Sequence, residues 1–182
     1  MITGPGNLDW KPALDHPELV APPTADALVR LGQTSDSRAL VAQIDPTLAD
    51  TAEFCVAHGV GMAESANCVV VEGRRGDVTT MAAIMILATD RADVNKTVRK
   101  HLDVRRMSFA SMETATSLTG MEYGGITPLG LPADWPILVD SRVVEAGIVV
   151  IGSGVRASKL AIDGAVLATL PNGEVLALAL PT

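Results

Sequence analysis

Two nearly continuous apolar runs set the first expectation for this chain. Residues 67–72 and 78–87 are β-branched or apolar almost throughout, and Gly73-Arg74-Arg75-Gly76-Asp77 separates them. That pattern predicts an antiparallel hairpin with a five-residue loop, placed at the centre of a sheet. Shorter apolar stretches at 39–44, 137–139, 148–151, 159–162 and 175–180 read as further strands. Helical spacing is found in between. Thr24 as N-cap, Ala27, Leu28 and Leu31 as the apolar face and Gly32 as the stop predict a first helix. A second is expected over 48–58, with Ala52, Cys55 and Val56 facing inward and Gly59 ending it. A third spans 90–102, with Val94, Val98 and Leu102 on one face, acidic residues early and Lys96, Arg99 and Lys100 late, in the sense that suits the helix dipole. Short helices are expected at 112–118 and 165–170. Residues 1–23 hold five of the 11 prolines and follow neither period, so they read as an extended N-terminal arm that Trp10, Leu14 and Leu19 are placed to pin. The remainder, 24–182, reads as one domain. Strands joined by hairpins with segregated helices indicate an α+β fold.

Composition narrows the function. A chain of 182 residues with 48% hydrophobic content can bury one sizeable core. Only 3% of residues are aromatic, which argues against a platform that stacks single-stranded bases. The formal charge of −7 opposes indiscriminate phosphate binding, so any nucleic-acid contact must come from a local patch. The densest basic segment is Arg99, Lys100, His101, Arg105 and Arg106, with Arg91 and Lys96 nearby; its plain alternative is a solvated helix end. Cys55 and Cys68 are too few and too far apart for a disulfide scaffold or zinc knuckle, and read as reduced, buried thiols. No basic, apolar leader opens the chain and the most apolar run, 81–88, is too short to cross a bilayer. A soluble, cytoplasmic protein without membrane contact is the expectation.

Candidate chemistry lies in backbone-defined loops. Gly124-Gly125-Ile126-Thr127-Pro128-Leu129-Gly130, preceded by Thr119-Gly120, fixes the path of the main chain and can present amides to an oxygen; equally, it can be a tight turn between strands. Gly152-Ser153-Gly154-Val155-Arg156-Ala157 matches a dinucleotide fingerprint, but the next segment, 159–162, reads as a strand where a Rossmann unit needs a helix, and the match is rejected. Phosphate-loop, zinc-protease and nucleophile-elbow motifs are absent, and His16, His58 and His101 have no triad partners that spacing identifies. No metal or cofactor is expected.

Thr119-Gly120, the Gly-Gly-Ile-Thr-Pro-Leu-Gly run, the strand Pro136-Ile137-Leu138-Val139-Asp140 and Ile148-Val149-Val150-Ile151-Gly152-Ser153-Gly154 together resemble the signature of the YbaK/EbsC/prolyl-tRNA synthetase-associated domain family, in order over about 24–170. The resemblance implies an α+β domain with a mixed, mainly antiparallel, barrel-like sheet and flanking helices. It implies an editing protein that hydrolyses the ester of a mischarged aminoacyl-tRNA in trans. Its partners would be the aminoacylated tRNA 3′ end and, as a second candidate, an aminoacyl-tRNA synthetase, with no DNA. Backbone amides of Gly124 and Gly125 would serve as oxyanion donors, with water attack assisted by the substrate's own ribose hydroxyl or amine. Ile126, Thr127 and Pro128 would contact substrate, and Gly152, Ser153 and Gly154 would form a facing wall. Arg156, after that turn, is placed to reach a terminal phosphate.

One departure from the family pattern matters. Active members carry a pocket lysine in an Ala-Lys-[Ser/Thr]-Leu run; the matching run here is Ala66-Asn67-Cys68-Val69, so Asn67 takes the lysine's place. The chain's four lysines are Lys11, Lys96, Lys100 and Lys159, none of them nearby in sequence. Lys159 falls where some relatives have an acidic pocket residue, which suggests that the charge has moved across the site. The alternative is a non-catalytic module for a tRNA 3′ end, a nucleotide or a protein, which lost activity with the lysine.

Overall fold

The computed structural model describes residues 3–31 and 39–180. The chain opens with a short strand β1 (Lys11–Pro12) and two 3-10 turns, followed by helix α1 (Pro22–Arg30), strand β2 (Leu40–Gln43) and helix α2 (Thr51–His58). The long hairpin β3 (Ala66–Arg75) and β4 (Val78–Leu87) comes next, then a π-helical turn (Val94–Val98) that runs into α3 (Arg99–His101). Strand β5 (Arg106–Phe109), α4 (Met112–Thr119), β6 (Ile137–Asp140), α5 (Ser141–Glu145), β7 (Ile148–Gly152), β8 (Ser158–Asp163), α6 (Gly164–Leu167) and β9 (Gly173–Leu176) complete it.

Two sheets result, in the strand orders β1-β2-β8-β7 and β5-β3-β4-β6-β9. The β3–β4 hairpin occupies the centre of the larger sheet, as its sequence predicts. Pairing is antiparallel except for β4 with β6 and β6 with β9. The expected barrel-like sheet is corrected in one respect: among the described residues the two sheets do not close, and the bridge Ser65–Val150 joins them outside their own ladders. That bridge lies beside the candidate site.

Side-chain alternation builds the layers. Val149, Ile151, Leu160 and Ile162 point between the sheets, where they meet Met85, Leu87 and Val139. Their neighbours Val150 and Ala161 point outward onto Phe54, Cys55 and Trp10. Ile84, Ile86 and Leu138 face away from the inter-sheet core and are covered by Val94, Val98 and Leu178. Both faces of β4 are therefore dry from Ala82 to Leu87, and this is why that part of its sequence is apolar without alternation.

Several boundaries differ from expectation for identifiable reasons. Helix α1 starts at Pro22, with Ala21 at the cap position; Thr24 lies inside the first turn and is fully buried. Gly32, the expected stop, lies outside the described residues. In α2 it is Phe54 and Cys55 that face inward, whereas Val56 is 87% exposed. Gly59 does end that helix, at φ +63°. The segment expected as a helix over 90–102 is wound as a π turn after Asp93, whose carboxylate accepts from the Lys96 and Thr97 amides. Strand β9 stops at Leu176 because Asp140 Oδ2 takes the amides of Leu178 and Ala179, at 2.7 and 2.9 Å. Near the N-terminus, Trp10 is buried and donates its indole N–H to the Pro5 carbonyl, while Leu14 is 40% exposed.

Candidate functional site

A cavity of about 330 Å³ opens where α2, the start of β3, the end of β7, the start of β8 and the glycine loop converge. Its floor and walls include Phe54, Ser65, Ala66, Cys68, Val150 and Ile151, and its polar groups come from Asp50, Thr51, Asn67, Tyr123, Gly124 and Lys159. Of the residues expected from sequence, Asn67, Gly124, Ile126, Gly152 and Lys159 line this cavity. Arg156 does not line it but contacts two residues that do, Asp50 and Tyr123.

The register of the two sheets creates the meeting. Asn67 sits opposite Ile86 near the start of β3, and Lys159 opposite Gly152 near the start of β8. Because Gly152 has no side chain, the glycine loop packs directly over its Cα; a Cβ there would strike the Gly125 and Ile126 carbonyls. Lys159 is only 7% exposed, and its Nζ donates to the Ala49 carbonyl at 2.8 Å. The ammonium also lies 5.3 Å from the Phe54 ring centroid, within cation–π range. Burial pushes its pKa down to about 8, partly offset by the Asp50 carboxylate.

Asn67 is oriented by α2. Thr51 donates its hydroxyl hydrogen to Asn67 Oδ1 at 2.7 Å, leaving Nδ2 without a partner among the described residues. Asp50 precedes the helix but makes no side-chain cap; its carboxylate pairs instead with Arg156 Nη2 at 3.5 Å. Arg156 is held further by the Pro46 carbonyl, which accepts from Nε at 2.9 Å, and by the Tyr123 carbonyl, which accepts from Nη1.

The two glycine-rich turns interlock through their backbones. Gly154 N–H donates to the Gly125 carbonyl at 2.6 Å, and Glu122 N–H to the Gly154 carbonyl at 2.9 Å. A Cβ on Gly125 would collide with the Val155 backbone, so this position requires glycine for close approach. This corrects the expected role of Gly125. Its N–H is spent on the Glu122 carbonyl at 3.0 Å and is not available to an oxyanion. Gly124, at φ +84°, keeps an amide that makes no hydrogen bond among the described residues.

Other expected contacts are also redirected. Ser153 is fully buried, its hydroxyl engaged with Ser158 Oγ at 2.7 Å and with the carbonyls of Val155 and Ser158, so it braces the β7–β8 turn. Gly154 packs against Ala21 and Thr24. Thr127 is fully buried away from the cavity, and Pro128 lines a separate depression beside Ala27 and Leu131. Sequence reading missed Asp50, Thr51, Phe54, Ser65 and Tyr123. Only the Asp50-Thr51 pair carried a signal, as a polar helix start.

Several chemistries are disfavoured by these side chains. Burial pushes the Cys68 thiol up to about 12, which leaves it protonated and a poor nucleophile near neutrality. His16 bonds Glu18, His101 bonds Glu174 and His58 packs on Phe54, and none lines the cavity. Among the described residues no three His, Cys, Asp or Glu side chains cluster to hold a metal ion. Among the groups that the cavity lining offers to a ligand are the Gly124 amide, the Asn67 carboxamide and the buried Lys159 ammonium.

A family model described as the aminoacyl-tRNA editing domain matches residues 45–170, a span containing every residue that lines this cavity. The chain belongs to that family. This editing domain has no match among curated protein sequences. Its fold is shared with a hypothetical protein, APE2540, at TM-score 0.74 and 19% identity, covering 87% of this chain and 99% of the other. A second structure, described as a candidate trans-editing enzyme for prolyl tRNA synthetase, matches at TM-score 0.73 and 19% identity, covering 89% and 99%. A third, used as a scaffold for epitope backbone grafting, matches at TM-score 0.73 and 19% identity, covering 88% and 97%. Among the described residues no helix is long and apolar enough to cross a membrane.

Proposed function

We propose that this editing domain acts in trans on mischarged aminoacyl-tRNA, hydrolysing the ester between the aminoacyl group and the 3′-terminal ribose. The observation that carries the reading is the placement of the Lys159 ammonium and the unpaired Gly124 amide in one cavity with Asn67. The Gly124 N–H and Asn67 Nδ2 hold the ester carbonyl oxygen as it gains negative charge. One such preorganised donor stabilises the transition state by about 2.7–4 kcal/mol. Lys159 supplies the positive charge that the family pattern leads one to expect at position 67.

Water is the nucleophile. Its oxygen bonds to the acyl carbon, the acyl–ribose bond breaks, and the water proton reaches the departing ribose oxygen by way of the substrate's own amine or hydroxyl. The carboxylate that lines the cavity, Asp50, is paired with Arg156, which is why the proton route is assigned to the substrate. Editing of small residues suits a cavity of this size, since a synthetase discriminates a missing methylene by only about 1–3 kcal/mol.

The test is deacylation across a panel of mischarged tRNAs, starting with tRNA for proline because of the trans-editing neighbour. Release above the buffer rate for at least one substrate, lost in Lys159→Met, supports the proposal. Binding of the aminoacyl end without release would instead assign the domain as a non-catalytic module.

A further inference from the structure

A second depression, of about 700 Å³, wraps the free edge of the larger sheet at the far end of β3 from the cavity. Four guanidinium groups line it: Arg74 from the β3 tip, Arg99 from α3, Arg105 from the following loop and Arg106 from β5. One carboxylate, Glu72, lies among them and is bonded to Arg74 at 2.7 Å. Arg99, Arg105 and Arg106 are exposed and form no ion pair among the described residues. In a chain of net charge −7 such a concentration of free cations is anomalous. Charge on β5 alone would serve to discourage edge-to-edge pairing. Arg74 and Arg99 come from other elements, so edge protection does not account for the convergence.

We propose that this arginine groove is the seat for the phosphate backbone of a helical RNA whose 3′ end occupies the cavity. The proposal rests on the editing reading and adds a partner surface to it. Strand β3 connects the two places. Asn67 faces the cavity and Arg74 the groove, seven residues apart, or about 23 Å along a strand. At roughly 3.4 Å per stacked nucleotide that separation is under about seven nucleotides. Guanidinium groups bind phosphate oxygens bidentately, and helical RNA presents mainly its shape and phosphates to proteins. The scarcity of aromatic residues fits a surface that holds RNA by its backbone.

The experiment compares wild type, the Arg99→Ala/Arg105→Ala/Arg106→Ala variant and an Arg30→Ala control. Affinity for uncharged tRNA is measured across a salt series, alongside deacylation of aminoacyl-tRNA and of a short aminoacyl-nucleotide ester. The triple variant is expected to bind tRNA about tenfold or more weakly, with a log–log salt slope shallower by about two to three. It should keep its turnover of the short ester, while Arg30→Ala matches wild type throughout. Unchanged tRNA affinity and salt slope in the triple variant, or no tRNA binding by wild type, overturns the groove. Salt-dependent tRNA binding lost in the triple variant supports it even if no ester is cleaved, an outcome that would count against the deacylase reading alone.

Discussion

Lys159 Nζ donates to the Ala49 carbonyl at 2.8 Å, tying a cation on β8 to the chain just before α2. The bond fixes the ammonium in the wall of the cavity that is also lined by Asn67, the position where the resemblance leads one to expect lysine. Removing the charge should therefore act on turnover. Lys159→Met is expected to lower kcat/KM for aminoacyl-tRNA deacylation by about 10- to 150-fold, the range of a charge-assisted hydrogen bond worth roughly 1.5–3 kcal/mol. An unchanged kcat/KM would remove Lys159 from the chemistry.

If the charge has moved, it should be movable back. Asn67→Lys alone places two ammonium groups in one small cavity and severs the Thr51 bond, so it should not raise activity. Asn67→Lys combined with Lys159→Met is expected to recover about tenfold over Lys159→Met alone. Simple additivity of the two losses would show that the positions are not exchangeable.

The lowered pKa of Lys159 makes both activity and stability depend on pH. Below about pH 8 the group is charged in the folded and unfolded chains alike, so the full cost of burying it is present. Between about 8 and the ordinary value of 10.5 the folded chain has released the proton and the unfolded chain has not. The folded state then binds fewer protons, and stability rises with pH through that window, by about 3 kcal/mol in total. Urea denaturation at pH 7 and pH 10 should show wild type gaining relative to Lys159→Met; parallel behaviour would contradict this. Deacylation, after subtraction of the alkaline buffer rate, should fall as pH rises through about 8, because the cation disappears.

The two adjacent loop glycines should separate function from folding. Gly124→Ala introduces a Cβ against the Arg156 guanidinium at a positive φ, with an expected cost of about 1–2 kcal/mol and a larger loss of activity. Gly125→Ala meets the Val155 backbone, which has no flexible end to give way, and should destabilise by about 2 kcal/mol or more. Thermal unfolding and kcat/KM measured together distinguish them. Equal, small stability losses in both would contradict the interlocked-turn geometry.

Asp140 is a purely structural counterpart. It is 1% exposed and accepts from the amides of Arg142, Leu178 and Ala179. Asp140→Ala strands those donors and should cost about 3 kcal/mol in urea unfolding, with kcat/KM little changed in the folded fraction. A loss under 1 kcal/mol would mean that solvent satisfies them.

Much of the architecture was legible from local patterning. The β3–β4 hairpin, the helix stop at Gly59 and the strand at 159–162 that disqualifies a Rossmann unit follow from apolar periodicity and from glycine's access to positive φ, properties carried by neighbouring residues. The absence of lysine at position 67 was equally plain in the sequence. Which glycine amide stays free was not, because Gly125 loses its N–H to Glu122 through a turn whose geometry is set by the facing Gly154 loop. Nor could sequence show that Asp50 faces Arg156, that Thr51 orients Asn67, or that arginines from three elements share one groove. These depend on sheet register and on strands brought together from distant parts of the chain. Local propensity fixes the elements; only their packing decides which polar groups are consumed by the fold and which are left facing a ligand.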